Sequence, residues 1–435
     1  MASFSRRKFL FTAGATAAGT FLVHGCSGNN TTSSEPVPAA SIDPADAPEV
    51  TGARLGFIAL TDSAPLIVAK EKGIFAKYGM PDVEVTKQAS WGTTRDNLVL
   101  GSGGGGIDGA HILTPMPYLI SQGAVTDGNK VPMYILARLN VDGQAISVAN
   151  TYKDLDVQLD SSLLRAKIDE AKAAGNQLKF AVTFPGGTHD LWMRYWLAAG
   201  GINPDTDVST LVVPPPQMVA NMKTGTMDAF CVGEPWNAQL INQDVGYSAL
   251  TTGQLWNNHP EKAFSMRADW VDQNPKATMA LLKAVLEAQI WCDQAENKEE
   301  MADIVSKRAW FNVPAKDIVE RSKGNFDFGD GRVEDNSQHV MKFWMDDASY
   351  PFKSHDLWFL TENIRWGYLP ADTDTRALVD QVNREDLWQE AARAIGQEAA
   401  IPASTSRGVE TFFDGITFDP ENPQAYLDSL AIKKI

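Results

Sequence analysis

Lys179-Phe180-Ala181-Val182-Thr183 is an apolar run of strand character. Phe184-Pro185-Gly186-Gly187-Thr188 is a turn, and His189 to Ala199 carries apolar residues at helical spacing. Strand, glycine turn and helix is the order an anion site needs. Glycine lets the backbone approach a ligand closely, and the unpaired amides of a helix N-terminus, with the macrodipole behind them, point at it. That dipole disfavours imidazolium at His189 unless a bound anion compensates. An ordinary strand-to-helix connection capped by Thr188 or Asp190 fits the same residues equally well. A matching corner stands upstream: strand Val83 to Val85, then Ser90-Trp91-Gly92-Thr93-Thr94, then a helix to Leu100. Trp91 offers one indole N–H and no acceptor, which suits an anion that has no proton to give. A tryptophan half buried at a lobe edge is the rival explanation.

Other candidate chemistry is weaker. Gly101-Ser102-Gly103-Gly104-Gly105-Gly106 has dinucleotide-like glycine spacing, but it follows a helix and precedes a strand, the reverse of a phosphate cradle, so it reads as a helix-ending loop. There is no phosphate-loop lysine motif, two-histidine zinc helix, paired CxxC or serine nucleophile elbow. The histidines are scattered; His111, inside an apolar run, is expected as a satisfied core imidazole. Asp346-Asp347 reads as a solvated turn rather than a metal site. No metal and no cofactor are expected, and without a catalytic set an enzyme is not.

The elements that must position these corners alternate. Arg54 to Leu60, Val83 to Val85 and Ile107 to Leu113 read as strands, with helices over Pro65 to Tyr78 and Thr93 to Leu100. Such alternation predicts α/β architecture with parallel, doubly wound sheets. The phrase Ile107-Asp108-Gly109-Ala110, with Pro115 seven residues after the Asp, is echoed by Met227-Asp228-Ala229-Phe230 with Pro235 at the same distance. Gly79 to Val85 has a counterpart in Gly200 to Val213. Two similar lobes facing a cleft are therefore expected. From Asn274 onward the pattern is helical: Thr278 to Asp293, Glu299 to Ala309 and Leu378 to Ile395. The aromatic stretch Phe343 to Tyr368 reads as packing surface, and the tail after Pro402 as a wrap over one lobe.

Residues 1–26 read as a secretory leader. Arg6-Arg7-Lys8 precedes an apolar run to Val23, and the Arg pair before Phe9-Leu10 suits twin-arginine export. Val23-His24-Gly25-Cys26 resembles a lipobox, which would make Cys26 the acylated N-terminus. Residues 27–50, rich in Ser, Thr, Asn, Pro and Ala, then form a flexible tether to the periplasmic face of the inner membrane. The formal charge of −16, more negative still without the leader, argues against nucleic acid and against a polybasic membrane patch. Cys231, in an apolar run, and Cys292 are expected as buried free thiols.

The run Thr183 to Ile202, the Ser5-Arg6-Arg7-Lys8-Phe9 start, Val232-Gly233-Glu234-Pro235-Trp236 and His259-Pro260-Glu261-Lys262-Ala263-Phe264 bring a family into view. Across essentially its whole length the chain resembles the solute-binding lipoproteins of cyanobacterial nitrate ABC transporters. The resemblance implies a two-lobed periplasmic solute-binding fold (type II, C-clamp). Its expected parts are lobe 1 from 51–140 and 240–435, with a C-terminal helical extension, and lobe 2 from 141–239. It implies an ion held between the lobes by Trp91, Gln144, His189, a backbone contact at Gly233 and the cation of Lys262, supported by the turn Gly186, Gly187 and Thr188. It implies delivery of nitrate, and nitrite, to a permease with associated ATPase subunits, through a lipid-anchored receptor.

A close relative in the same family binds bicarbonate, often with calcium, and carries an acidic residue where Lys262 stands. Nitrate is planar, with acceptors only, so its pocket offers donors and positive charge. Bicarbonate has a hydroxyl that needs an acceptor, and Lys262 would leave it unpaired. A bicarbonate receptor is the near alternative. An enzyme on this scaffold and a sensory subunit are the distant ones.

Overall fold

The computed structural model describes residues 47–434. The leader, Cys26 and most of the expected tether lie outside the described residues. The tether's expected end at 50 comes too late, because Glu49 already accepts hydrogen bonds from the amides of Lys276 and Ala277. That carboxylate caps the first turn of the helix Pro275–Asp293.

Ten strands form two five-stranded sheets. In the first, the order is β2 (Glu84–Lys87), β1 (Arg54–Phe57), β3 (Gly109–Leu113), β10 (Pro260–Arg267) and β4 (Met133–Val141). In the second, it is β7 (Ser209–Val212), β6 (Lys179–Val182), β8 (Ala229–Gly233), β5 (Gln144–Ala149) and β9 (Gly246–Thr251). Each begins with three parallel strands, as the alternation predicts, and each then departs from it. β10 runs antiparallel to β3 and β4, and β5 antiparallel to β8 and β9, so the sheets are mixed. The antiparallel members are the strands flanking the crossings between sheets, where no crossover helix is available to set a parallel direction.

The internal repeat has a structural basis. Asp108, just before β3, accepts a hydrogen bond from the amide of Arg54 at 2.9 Å, and its own amide donates to the Arg54 carbonyl. Asp228, just before β8, does the same with Lys179, at 2.7 Å. Each aspartate ties the start of the third strand of its sheet to the start of the second.

The chain crosses between sheets through Asp142-Gly143 and returns between Thr251 and Pro260. The Asp142 amide donates to the His259 carbonyl at 3.0 Å, which ties the two crossings together. The expected return at 240 is thus corrected: β9 completes the second sheet by pairing with β5. The expected helix Leu378 to Ile395 is two, Thr375–Val382 and Glu385–Ala394. Asn383 breaks it, donating to the Pro351 carbonyl and to Asp356 Oδ2.

The C-terminal extension is bonded to both sheets rather than to the first alone. Its helix Lys353–Arg365 stacks Trp358 on Trp192 at 4.9 Å and 17°, and Asn363 donates to the Gly186 carbonyl. On the other side Asp356 pairs with Arg138 of β4. The aromatic stretch 343–368 is packing surface, since Phe343, Trp358, Phe359 and Trp366 are all buried. Cys231 and Cys292 are buried free thiols.

Candidate functional site

The C-terminal ends of β1, β3 and β8, the start of β5, the first residues of two helices and the third residue of β10 meet between the sheets. Trp91 opens the helix Trp91–Leu100, which Ser90 caps by accepting from the Thr93 amide at 3.1 Å. Its indole is fully buried and packs on His111 at 5.3 Å, and its Nε1–H has no hydrogen-bond partner. An unpaired buried donor is costly. The Lys262 ammonium lies over the face of the same ring, 5.9 Å from its centre.

Gln144 and Gly233 are register partners across β5 and β8. The Gln144 Nε2 donates to Asp62 Oδ2 at 3.1 Å, which leaves Oε1 as an acceptor. His189 Nε2 therefore donates to that Oε1 at 2.7 Å, and Nδ1 of the neutral ring accepts from the Thr183 hydroxyl at 2.5 Å. Burial first, and the Lys262 ammonium second, push the His189 imidazole well below its ordinary range, so it is neutral. A Cβ at Gly233 would lie 2.5 Å from Gln144 Oε1 and 3.3 Å from Asp62 Oδ2, so any larger residue there displaces the Gln144 amide from its bonds.

The Gly186-Gly187 turn does not cradle an anion with its own amides. The Gly186 amide donates to the Asp190 carboxylate at 2.8 Å and the Gly187 amide to the Phe184 carbonyl at 3.1 Å. Gly186 has φ of 72°, and a Cβ there would lie 2.6 Å from Asn363 Oδ1. The turn instead aims Thr188 and His189 into the site. The Thr188 hydroxyl donates to Glu261 Oε1.

Lys262 is fully buried and held by two carboxylates, Asp62 Oδ2 at 2.9 Å and Glu261 Oε1 at 2.8 Å. Neither carboxylate was foreseen. Asp62 sits in the short turn after β1, where Thr61-Asp62-Ser63 reads only as a strand boundary, and Glu261 sits beside Lys262 in the sequence. Asp62 also accepts from His111 Nε2 at 2.5 Å, and Glu261 Oε2 accepts from Trp192 Nε1 at 2.8 Å. His111 is thus a satisfied core imidazole, as expected, and also part of the site. Burial pushes the Asp62 carboxyl up, but Lys262 and His111 outweigh it and hold it well below the usual range. Burial pushes Glu261 above that range against the pull of Lys262. It also works against charge on Lys262, yet Asp62 and Glu261 keep that ammonium protonated beyond its ordinary value.

An ammonium has three protons. Two are committed to carboxylates, so Lys262 retains one N–H beside the free N–H of Trp91. The carboxylate oxygens, by contrast, are covered by Lys262, Gln144, His111, Thr188 and Trp192. The site therefore offers donors and withholds acceptors. The nearby Cys231 thiol is pushed well up by burial, which makes it a poor nucleophile. Among the described residues no group of three or more His, Cys, Asp or Glu is arranged to hold a metal.

The two sheets are also joined directly. The Thr61 amide donates to the Glu234 carbonyl at 2.7 Å and Trp236 Nε1 to the Ala59 carbonyl at 2.9 Å. Together with the Gln144–Asp62 and Thr188–Glu261 bonds, these make a closed cleft.

Residues 46–306 match the NMT1-like family. The chain is 67% identical to the nitrate/nitrite binding protein NrtA of Synechocystis sp. PCC 6803, over 100% of both chains. The crystal structure of that periplasmic nitrate-binding protein superimposes with a TM-score of 0.87 at 70% identity, covering 89% of this chain and 100% of the other. The chain is 48% identical to the bicarbonate-binding protein CmpA of Synechococcus elongatus, over 99% of this chain and 98% of that one. It is 34% identical to the nitrate import ATP-binding protein NrtC of Synechocystis, over 87% of this chain and 55% of that one.

Proposed function

The chain belongs to the NMT1-like family and to the nitrate/nitrite-binding proteins, and from that premise we propose that it is a periplasmic receptor that captures nitrate, and nitrite, between its two sheets and delivers the ion to an ABC permease with associated ATPase subunits. It is a solute-binding protein and not an enzyme. Nitrate bridges the lobes and shifts the balance between open and closed forms toward closed.

The observation that carries the reading is the donor imbalance at the cleft. The unpartnered N–H of Trp91 and the third proton of Lys262 face an anion that has acceptors only. His189 Nε2–H, now on Gln144, is a third donor, and Gly233 leaves Gln144 the place from which it takes that bond. Two carboxylates at the site are the feature that speaks for bicarbonate, whose hydroxyl needs an acceptor. Each already accepts three hydrogen bonds from donors of the protein itself, which weakens both as acceptors for that hydroxyl.

Export by the 1–26 leader and acylation of Cys26 would hold the receptor at the periplasmic face of the inner membrane, with the following residues as a tether. The basic start, the apolar run and the Val23-His24-Gly25-Cys26 phrase support this part. Among the described residues no helix is long and apolar enough to cross a membrane.

Calorimetric titration of the protein in nitrate-free buffer tests the reading, with nitrate, nitrite and bicarbonate added separately, each with calcium and with chelator. Saturable nitrate binding near the micromolar range, about −8 kcal/mol, insensitive to calcium, is expected. Calcium-dependent bicarbonate binding with no nitrate heat would overturn it.

A further inference from the structure

We propose that nitrate enters this site together with a proton, and that Glu261 takes that proton up. The inference rests on the nitrate reading above and adds the charge bookkeeping of the closed site.

The geometry sets the problem. Asp62, Glu261 and Lys262 are all completely buried, and the Lys262 ammonium lies 2.9 Å from Asp62 and 2.8 Å from Glu261. With both carboxylates ionised the triad carries one net negative charge, and nitrate adds a second beside it. Around Glu261 the other titratable groups come from four further elements. They are His189 at 3.5 Å from the helix Thr188–Ala199, His259 at 3.7 Å from the return crossing, the Cys231 thiol of β8, and Asp62 across Lys262. Asp142 lies beyond His259, at 3.6 Å from its ring. Of all these only Lys262 is a fixed cation, because His189 and His259 are buried neutral. A second buried negative charge therefore has no partner, and the site relieves it by binding a proton.

The hydrogen bonds decide which carboxyl takes it. Asp62 is held by Lys262 and Gln144, whose N–H groups can only give, and by His111, whose Nδ1 accepts from the Ile58 amide at 3.5 Å so that its Nε2 carries the proton. A proton on Asp62 would have no acceptor. Glu261 receives two N–H donors of the same kind, from Lys262 and Trp192, but its third partner is the hydroxyl of Thr188. A hydroxyl can turn from donor to acceptor, so protonated Glu261 can give its Oε1–H to Thr188 Oγ1 with no movement of heavy atoms. Burial already lifts this carboxyl toward protonation and leaves Asp62 far from it.

The test is calorimetry of the full chain with sodium nitrate at several pH values, each in two buffers of different protonation enthalpy. The difference in heat counts the protons bound. Uptake rising toward one proton per nitrate is expected, with affinity weakening by up to about tenfold per pH unit on the alkaline side. Glu261→Gln, which fixes the protonated shape, is expected to bind nitrate without uptake, with an affinity that no longer depends on pH and exceeds that of the unaltered protein in alkali.

Equal heats in both buffers would overturn proton coupling while leaving nitrate binding intact. Uptake that persists in Glu261→Gln would overturn the assignment and move the proton to His189 or Asp62. Absence of nitrate heat in every buffer would refute the nitrate reading itself. If Glu261→Gln does not fold, infrared difference spectra of the unaltered protein with isotope-labelled glutamate carry the test. A nitrate-induced protonated carboxyl band that shifts with the label supports the proposal, and a spectrum without it overturns it.

Discussion

Lys262 Nζ lies 2.9 Å from Asp62 Oδ2, so a cation on β10 is joined to a carboxylate in the turn after β1, with Glu261 closing the other side at 2.8 Å. The positive charge of the cleft is thus a mortgaged one. Its two neighbours fix its direction, and only its third proton is left for a ligand. Exchanging this charge has effects beyond losing one contact.

Lys262→Glu places a third carboxylate between Asp62 and Glu261. Nitrate binding is expected to vanish, because the ammonium is lost and the field around the anion reverses. Three carboxylates around one point present the oxygen ligands that suit calcium. The variant should therefore gain calcium-dependent stability that the unaltered protein lacks. Thermal unfolding with calcium and with chelator, beside a nitrate titration, checks both. Unchanged nitrate affinity would remove Lys262 from the pocket.

Trp91→Phe separates binding from folding. The ring stays against His111 and the N–H disappears. Since that N–H has no partner within the protein, folding stability is expected to hold or rise slightly. A hydrogen bond to a charged ligand contributes about 1.5–3 kcal/mol, so nitrate affinity should fall by roughly ten- to a hundredfold. Denaturant unfolding and nitrate titration of the same sample measure the two effects. Loss of stability with intact affinity would mean the indole N–H serves the fold.

The residues read from the sequence as a site do converge. Gln144 bonds His189, Gly233 leaves the room for Gln144, and Trp91 and Lys262 face each other. Trp91 and His189 were legible from their neighbours, each at a strand-to-helix corner, whereas Gln144, Gly233 and Lys262 carry no such local mark and were indicated only by the family resemblance. Asp62 and Glu261 were indicated by neither. An acidic residue in an anion pocket runs against local charge logic, and only the long-range approach of β1 to β10 makes either one a partner of Lys262. The parallel cores of the sheets followed from alternation, whereas β9 carries no local mark of its sheet and was assigned to the wrong lobe. The split at Asn383 was hidden for the same reason. Its partners Pro351 and Asp356 lie about thirty residues upstream in the chain.

The buried histidines make stability depend on pH. His259 gives its Nδ1–H to the Pro260 carbonyl at 3.2 Å and accepts at Nε2 from the Thr252 hydroxyl at 2.7 Å, and burial holds its imidazole down at about 3 against an ordinary 6.5. Between those values the unfolded chain binds more protons than the folded one, so stability rises with pH across the window and is lost as pH falls through it. Asp62, with its carboxyl depressed, adds stability that is lost only in stronger acid. Glu261, with its carboxyl raised, has the opposite sign and loses stability as pH rises above the ordinary carboxylate range. Urea unfolding from pH 4 to 7 should show the acid-side loss. His259→Gln should flatten its slope, and an unaltered slope would assign the loss to other groups.

The stack of Trp192 on Trp358 ties the extension to the cleft. Trp192 belongs to the helix that carries His189, and its Nε1–H reaches across to Glu261 of β10. Trp358, on the extension, lies parallel to it at 4.9 Å and is itself anchored through its helix to β4 by the Asp356–Arg138 pair. Closing the cleft and seating this helix on the extension are therefore one movement. Trp358→Ala should cost about 3–5 kcal/mol of stability, as large-to-small changes in a core do. If the stack were only core, the loss would end there. Because the stack also favours the closed arrangement, its removal should shift the ligand-free protein toward open and weaken nitrate binding by the factor by which the closed fraction falls. Small-angle scattering without nitrate should then show a larger radius of gyration than in the unaltered protein, reduced by saturating nitrate. Trp358→Phe should restore part of both effects. A destabilised Trp358→Ala with unchanged radius and unchanged nitrate affinity would confine the stack to packing and free the cleft from the extension.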